Sequence, residues 1–401
     1  MAEILLRRCS VMKGEPALLP SSKSISNRAL ILKALSGSES ALHNLSAARD
    51  TQLMQRCMAQ NEKTADVKDA GTTMRFLTAY FSVTNQNKIL TGSDRMKERP
   101  IGLLVDALRA IGAEIDYLEK DGFPPIESKG FERQNSDYIK IPAHISSQYI
   151  SALMMMAPML SQGLTIELTG KISSMPYIRM TASLMQRFGA AINFSNNIIA
   201  IPSALYTPAD LTIEADWSAA SYWFAFAALC EKAEIALKPM TAESLQGDRV
   251  ITEIMKPLGV KSEFVGDQLI LTKTENESRF QYDFSDCPDL AQTVIPVCAA
   301  KGISAVLTGL ESLRVKETDR IAALQNEIAK IGAKLSEEGN RWTLTPGKMK
   351  NGLRISTYSD HRMAMGFAPW AALADIIIEE PQVTEKSYPG FWEDVRSMVN
   401  D

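Results

Sequence analysis

The chain has 401 residues, of which 45% are hydrophobic and 22% are charged, and its formal net charge at pH 7 is −4. A typical size of ~150 residues per domain predicts two or three domains, and this composition excludes disorder, collagen and coiled coil as the main state. The longest near-apolar run, 152–160, is far shorter than the ~20 residues of a membrane-spanning helix. Five cysteines without CxxC spacing favour a reducing compartment and argue against a zinc site.

Six predicted helices share one plan along the chain. Each opens with a short polar cluster and continues as an almost wholly apolar stretch, and the clusters begin at residues 24, 71, 146, 216, 288 and 360. The last four intervals are 75, 70, 72 and 72 residues, whereas the first is 47. Near-periodic similarity of this length predicts that one supersecondary unit is used several times.

Strands and a second kind of helix complete the predicted repeat. Strand-like runs follow several of the apolar helices, at 88–92, 164–170 and 303–309. The second helices are amphipathic and close with a glycine, which accepts the left-handed conformation after a helix end at little cost; these glycines are Gly112, Gly189, Gly259 and Gly332. Each unit of about 70 residues is therefore predicted to run strand, helix, strand, helix and strands.

The apolar helices predict where charge should gather. A helix that is apolar on all faces must be buried, so we expect sheets packed around a helical interior, with three such helices per domain if there are two domains. Their polar N-termini, expected to converge where the domains meet, would offer free N–H groups and positive dipole ends to an anion. The alternative is six independent N-caps of core helices. Lys23, Arg28, Arg75 and Arg362 are disfavoured at N-termini and need bound anions or carboxylates for compensation.

Six ordered motifs carry a resemblance to a known family. They are Leu-Pro-x-Ser-Lys-Ser-x-Ser-Asn-Arg at 19–28, Ala-Gly-Thr-x-Met-Arg at 70–75, Arg-Met-x-Glu-Arg-Pro-Ile at 95–101, Ser-Ser-Gln-Tyr at 146–149, Arg-Val-Lys-Glu-Thr-Asp-Arg at 314–320 and Asp-His-Arg-Met-Ala-Met at 360–365. With them the chain resembles the 3-phosphoshikimate 1-carboxyvinyltransferases, also called 5-enolpyruvylshikimate-3-phosphate synthases, from about residue 17 to residue 395.

The resemblance implies an α/β fold, the two-domain inverse α/β barrel, in which each domain has three βαβαββ units with buried helices. The implied domains are residues 20–213 and residues 1–19 with 214–401, and the implied active site lies in the cleft between them. The implied reaction transfers the enolpyruvyl group of phosphoenolpyruvate to the 5-hydroxyl of shikimate 3-phosphate and releases phosphate through a tetrahedral intermediate. It belongs to the shikimate pathway, which leads to chorismate and the aromatic amino acids.

The resemblance implies no metal and no organic cofactor. We expect a cytoplasmic monomer whose partners are its two small-molecule substrates, without nucleic acid or membrane. Motif positions assign phosphoenolpyruvate to Lys23, Gly71, Arg95, Gln148, Arg320, Arg362 and Lys386. They assign shikimate 3-phosphate to Lys23, Ser24, Arg28, Ser146, Ser147, Gln148, Ser174, Tyr177, Asp289 and Lys316. The implied catalytic residues are Asp289, Glu317 and Lys23, and the division of proton transfers among these three is left open.

Three positions depart from the pattern of the family, of which Ser21, in place of a frequent Gly, is a mild change. Asp69 and Ser312 both stand where many members have Asn, which places an acid beside an anion site and puts one substrate contact in doubt. A sister family that acts on UDP-N-acetylglucosamine is an alternative, but its reactive cysteine has no counterpart in the loop 93–99. A non-catalytic polyanion-binding or RNA-binding module is a second alternative, and the pI of about 5.7 argues against it.

Overall fold

A computed structural model describes residues 2–37, 39–143 and 146–399 of the chain. Its strands, numbered in chain order, are β1 Glu3–Leu6, β2 Val11–Gly14, β3 Leu42–His43, β4 Thr64–Asp66, β5 Lys88–Thr91, β6 Ala113–Tyr117, β7 Ile126–Phe131, β8 Tyr138–Pro142, β9 Leu164–Thr169, β10 Asn193–Ser195, β11 Ile198–Ile201, β12 Leu211–Thr212, β13 Lys232–Leu237, β14 Val260–Val265, β15 Gln268–Lys273, β16 Arg279–Asp283, β17 Ser304–Thr308, β18 Lys334–Glu338, β19 Arg341–Thr345, β20 Leu353–Ile355 and β21 Ile376–Glu379.

The α-helices alternate with these strands. They are α1 Lys23–Leu35, α2 Arg49–Ala59, α3 Gly71–Val83, α4 Asp94–Lys97, α5 Gly102–Ile111, α6 Ser147–Met156, α7 Met175–Arg187, α8 Trp217–Leu229, α9 Ile251–Met255, α10 Ala291–Lys301, α11 Arg320–Ala329, α12 His361–Phe367 and α13 Phe391–Met398. The chain divides into two compact units. The flanking unit comprises Met1–Ser22, Ala47–Arg49 and Glu214–Asp401, and the inner unit comprises Lys23–Ser46 and Asp50–Ile213.

The same four-stranded sheet occurs twice in each unit. The strand orders are β4-β5-β7-β6 and β10-β11-β9-β8 in the inner unit, and β14-β15-β13-β2 and β16-β17-β19-β18 in the flanking unit. In every case the first two strands along the repeat are parallel, and the second strand also pairs antiparallel with one strand of a hairpin. A helix fills the crossover that a parallel pair requires. The predicted α/β class with repeated βαβαββ units is therefore confirmed.

A third, smaller repeat in each unit lacks the hairpin. In the inner unit β12 pairs parallel with β3, and in the flanking unit β20 pairs parallel with β21, whose other edge is covered by β1. After α2 the chain runs directly into β4, the first strand of the next repeat. The missing hairpin explains why the first interval in the sequence is 47 residues and the later ones are near 72.

The predicted burial of the apolar helices is confirmed. Every residue of α12 is buried, as is every residue of α8 except Ser218 and every residue of α6 except Gln148. These two partly exposed residues lie in the first turn of their helices, where the polar clusters were predicted. The glycines predicted to end the second helices all have left-handed backbone conformations, with φ between 79° and 115°.

A proline and a glycine bring two of these helices unusually close. Pro296 lies inside α10 and has no N–H to donate to the carbonyl of Gln292 four residues earlier. A Cβ on Gly366 of α12 would lie 2.2 Å from that carbonyl oxygen, so only glycine permits this approach. The contact fixes α12 against α10, and both helices begin within two residues of a candidate site residue, Asp289 for α10 and Arg362 for α12. In the described part of the chain, no helix is long and apolar enough to cross a membrane.

Candidate active site

Asp289 is a carboxylate held by cations at the start of α10. It lies in the 3-10 turn Pro288–Leu290, and its two oxygens accept from Arg320 Nη1 at 2.9 Å and from Arg362 Nη2 at 3.0 Å. Lys316 Nζ lies 3.7 Å from the same group. Burial alone would raise the pKa of Asp289, but Arg362, Lys316 and Arg320 outweigh it and hold that pKa well below its ordinary range. Asp289 is therefore ionised and can accept a hydrogen bond.

Arg320 connects three carboxylates. It is the first residue of α11, and its side chain is only 2% exposed. Its Nε donates to Asp360 at 2.7 Å, and its Nη2 donates to Glu317 at 2.9 Å, in addition to the bond to Asp289. Burial would lower the pKa of Arg320, but Asp360, Glu317 and Asp289 together raise it above its usual value. We use the name carboxylate–arginine cluster for Arg320, Arg362, Asp289, Glu317 and Asp360.

Arg362 is oriented from both its backbone and its side chain. Asp360 is the N-cap of α12, and its carboxylate accepts from the backbone N–H of Arg362 at 2.8 Å. The guanidinium contacts the hydroxyl oxygens of Tyr222 at 3.4 Å and Ser218 at 3.3 Å, besides Asp289. Asp360 thus acts as a helix cap and as the partner of Arg320. In this unit the cations near helix N-termini are compensated by carboxylates, one of the two possibilities predicted.

Arg28 in the inner unit has a different environment. Its side-chain donors reach neutral oxygens, namely the hydroxyls of Thr181 at 2.7 Å and Ser151 at 3.1 Å and the carbonyl of Ser24 at 2.9 Å. The residue is only 2% exposed. Throughout the described residues, no carboxylate forms an ion pair with Arg28.

Aromatic rings border the same guanidinium. Its central carbon lies 5.2 Å from the ring centroid of Phe76 and 5.8 Å from that of Tyr177. Burial lowers the pKa of Arg28 to about 10, which still leaves it charged at neutral pH. A buried charge without a carboxylate is costly, and a bound anion would remove that cost.

Lys23 and Asp50 form a charged pair in the inner unit. Lys23 is the first residue of α1, and its Nζ donates to Asp50 Oδ2 at 3.0 Å. The side chains are 16% and 2% exposed. The sequence analysis identified Lys23 but missed Asp50, because the two residues are 27 positions apart and no local pattern connects them.

The guanidinium group of Arg99 lies against the start of α3. Gly71 is the first residue of α3, and a Cβ there would lie 2.6 Å from Arg99 Nη1. Arg99 is 7% exposed and was not among the predicted site residues, although it lies in the motif 95–101. In the same unit Gln148 Nε2 contacts Thr72 Oγ1 at 3.3 Å, which joins the starts of α6 and α3.

The remaining predicted residues lie at element ends. Ser146 caps α6 by accepting from the backbone N–H of Gln148, and Ser147 begins that helix. Ser174 precedes α7 with a left-handed backbone, φ 57°. Lys386 is buried at the end of the 3-10 helix Pro381–Lys386. Arg95 differs from these, because it is 39% exposed and pairs with Glu98 at 3.0 Å.

Asp248 is a buried carboxylate that the sequence analysis did not identify. It is 3% exposed and accepts a hydrogen bond from Ser218, whose oxygen also contacts Arg362. Burial raises its pKa to about 6, against the opposing effect of Arg362. Its sequence neighbours carry no signal of this role, because the charged groups that act on it, Arg362, Asp289 and Asp216, come from other parts of the chain.

Comparison with known proteins agrees with this arrangement. The profile of the family described as EPSP synthase (3-phosphoshikimate 1-carboxyvinyltransferase) matches residues 55–395. A 3-phosphoshikimate 1-carboxyvinyltransferase of Bacteroides fragilis is 45% identical over 384 residues, covering 94% of this chain and 93% of that protein. One from Vibrio cholerae is 34% identical over 425 residues, covering 98% of both chains.

A solved structure shows the same fold. The EPSP synthase of Acinetobacter baumannii aligns with a TM-score of 0.75, covering 99% of this chain and 98% of that chain, at 19% sequence identity. The long matches in sequence establish the relationship that the fold alone would not. The chain therefore belongs to the EPSP synthase (3-phosphoshikimate 1-carboxyvinyltransferase) family.

Proposed function

We propose that this protein transfers the enolpyruvyl group of phosphoenolpyruvate to the 5-hydroxyl of shikimate 3-phosphate and releases phosphate. Membership of the family and the names of its relatives support this reaction. Both substrates are anions, so the reaction needs buried cations that can accept them. Sequence motifs that lie far apart in the chain supply such cations in each unit.

The environment of Arg28 is the observation on which the proposal mainly rests. Arg28 is a buried guanidinium that contacts two hydroxyls, a carbonyl and two aromatic rings, with no carboxylate partner in the described structure. A planar guanidinium is suited to phosphate or carboxylate. We assign it to shikimate 3-phosphate together with the other residues of the inner unit that the family resemblance assigns to this substrate, which are Lys23, Ser24, Ser146, Ser147, Gln148, Ser174 and Tyr177.

Phosphoenolpyruvate is assigned to the remaining cations. Arg320 and Arg362 are buried and already oriented by Asp360. Asp360 thereby holds both positive charges in place, which favours catalysis through preorganised charge. Lys23, Gly71, Arg95, Gln148 and Lys386 complete the proposed set.

Asp289 is proposed to accept the proton of the 5-hydroxyl. In the absence of substrate, the positive charges of Arg320 and Arg362 hold the pKa of Asp289 low, and a carboxylate with a low pKa is a weak base. Anions bound at these cations would offset their charge and raise the pKa of Asp289 toward the range of an effective base. The hydroxyl oxygen then attacks C2 of phosphoenolpyruvate while C3 gains a proton, and phosphate leaves when C3 gives a proton up. Glu317 and Lys23 are the proposed candidates for the proton steps at C3.

A phosphate-release assay with both substrates tests the proposal. Wild-type protein should release phosphate only when phosphoenolpyruvate and shikimate 3-phosphate are both present, and UDP-N-acetylglucosamine should not replace the latter. Arg28→Gln should raise the KM for shikimate 3-phosphate by about 100-fold, since a buried charge-assisted contact to phosphate is worth roughly 3 kcal/mol. The exposed Arg133→Gln is the control. Two results would refute the assignment. One is phosphate release with UDP-N-acetylglucosamine in place of shikimate 3-phosphate, and the other is a KM for shikimate 3-phosphate in Arg28→Gln equal to that of the control.

We also propose that the enzyme acts as a monomer in the cytoplasm. All five cysteines are free, which supports a reducing compartment. Sedimentation equilibrium of the purified protein at micromolar concentration tests the monomer, and a mass of twice 44.2 kDa would contradict it.

A further inference from the structure

The loop before α12 has an unfavourable backbone. Tyr358 and Ser359, which connect β20 to α12, are consecutive non-glycine residues with φ of 53° and 54°. Left-handed conformations are disfavoured for residues with a Cβ, and they persist where the surroundings fix them. The next three residues are Asp360, His361 and Arg362, so this backbone leads directly into the carboxylate–arginine cluster.

A buried carboxylate on α11 holds that loop. Glu327 is fully buried, and its Oε1 accepts from the Tyr358 hydroxyl at 2.9 Å. Its Oε2 accepts from the backbone N–H of Ser356 at 3.2 Å and from Lys330 Nζ at 2.6 Å. Lys330 also donates to the carbonyl of Arg354 at 2.7 Å. Glu327 thereby fixes the loop at Ser356 and at Tyr358, with each of its oxygens satisfied.

The same helix holds the far end of the loop through Arg320. Glu327 and Arg320 are seven residues apart on α11, so they lie on one face, two turns from each other. Arg320 binds the carboxylate of Asp360, whose backbone N–H in turn donates to the carbonyl of Thr357 at 2.9 Å. The position of Asp360 therefore depends on the loop, and the positions of Arg320 and Arg362 depend on Asp360.

We propose that Glu327 is a positioning residue for the reaction: through Tyr358 it fixes the left-handed loop that places Asp360, and thereby the two arginines assigned to phosphoenolpyruvate. This inference rests on the proposed function. It adds a residue that lies outside every motif of the sequence analysis and whose hydrogen bonds, within the described residues, go to Tyr358, Ser356 and Lys330, none of which is assigned to a substrate. Loss of the hydrogen bond between Glu327 and Tyr358 should weaken the binding of phosphoenolpyruvate more than that of shikimate 3-phosphate, because eight of the ten residues assigned to shikimate 3-phosphate, Arg28 among them, belong to the inner unit.

The test compares tyrosine variants that each lose one hydroxyl with a single hydrogen-bond acceptor. Tyr358→Phe removes the bond to Glu327. Tyr206→Phe is the matched control, since Tyr206 is 5% exposed and donates to the carbonyl of Met155 at 2.8 Å in the inner unit. We expect Tyr358→Phe and Glu327→Gln to raise the KM for phosphoenolpyruvate about tenfold and to lower kcat severalfold. The KM for shikimate 3-phosphate should stay within about twofold, and the control should match wild type in all three constants.

A second measurement does not depend on turnover. In protein labelled with ¹⁵N-arginine, the Nε–H signal of Arg320, identified by its loss in Arg320→Lys, reports the bond to Asp360. We expect this signal to shift or to broaden in Tyr358→Phe and Glu327→Gln and to stay unchanged in Tyr206→Phe. An unchanged signal in folded Tyr358→Phe overturns the positioning role, whether or not the wild type is active. Kinetic constants within twofold of the control, or an equal rise of both KM values, also overturn it. Absence of turnover in the wild type would instead refute the proposed function.

Discussion

The buried carboxylate of Asp248 should make the stability of this protein depend on pH in a direction opposite to that of most acidic groups. Asp248 lies in the 3-10 turn Gly247–Val250, where Ser218 donates to one of its oxygens and the other has no hydrogen-bond partner among the described residues. Burial raises its pKa from an ordinary value of 3.8 to about 6, although Arg362 opposes this shift. We predict that Asp248→Asn increases stability at alkaline pH relative to acidic pH.

The sign follows from linkage between protonation and folding. Because the pKa is raised in the folded state, protonation of Asp248 stabilises the fold below pH 3.8, and this contribution is lost as the pH rises through about 6. The difference between the two pKa values corresponds to roughly 3 kcal/mol in total, of which about 2 kcal/mol is lost between pH 4.5 and pH 8. Asparagine is neutral throughout and does not lose it. The asparagine amide would place an N–H donor where Asp248 Oδ1 has no hydrogen-bond partner among the described residues. This changes the free energy of unfolding by an amount that does not vary with pH.

Urea unfolding followed by circular dichroism measures this difference. The free energy of unfolding of Asp248→Asn minus that of wild type should rise by about 2 kcal/mol from pH 4.5 to pH 8. The exposed Asp267→Asn in the same unit controls for the substitution itself. A difference that is flat with pH, or that falls as the pH rises, would show that burial does not govern Asp248 in the folded protein.

Two further predictions concern the site itself. Asp289→Asn should lower kcat by about 100-fold or more while the KM values change little, because asparagine can bond the 5-hydroxyl but cannot take its proton; steady-state kinetics measures this, and a raised KM for shikimate 3-phosphate with an unchanged kcat would make Asp289 a binding residue only. Gly71→Ala places a methyl group 2.6 Å from the guanidinium of Arg99 and should raise the KM for phosphoenolpyruvate about tenfold with little change in Tm, since the end of a flexible side chain can move aside. Gly390→Ala, which meets no atom within 4 Å, is its control, and equal KM values in the two variants would contradict the prediction.

The repeat and its helices could be predicted from the sequence because their determinants are local. Ser146, Asp216 and Asp360 are N-caps whose side chains accept backbone N–H bonds within three residues, and an apolar run follows each of them. The caps and apolar runs of the buried helices, and the closing glycines of the amphipathic helices, each act within a single helix. The local pattern is therefore sufficient to predict these helices. The family resemblance likewise identified Asp289 and Arg28, although it could not show that Asp289 is surrounded by cations and that Arg28 lacks a carboxylate partner within the described residues.

The pairing of charges could not be predicted from the sequence, because it depends on contacts between distant parts of the chain. Arg28 bonds Thr181 across 153 positions, and Arg320 bonds Asp360 across 40. The charge environment of Asp248 and the contact of Glu327 with Tyr358 arise in the same way, from residues on different helices and loops. The energy of a charged group depends on burial and on the charges within a few ångströms, and neither follows from the residues beside it in the sequence. The repeated fold and the family can therefore be inferred from local patterns in the sequence, whereas the packing of the repeats determines which charges are paired.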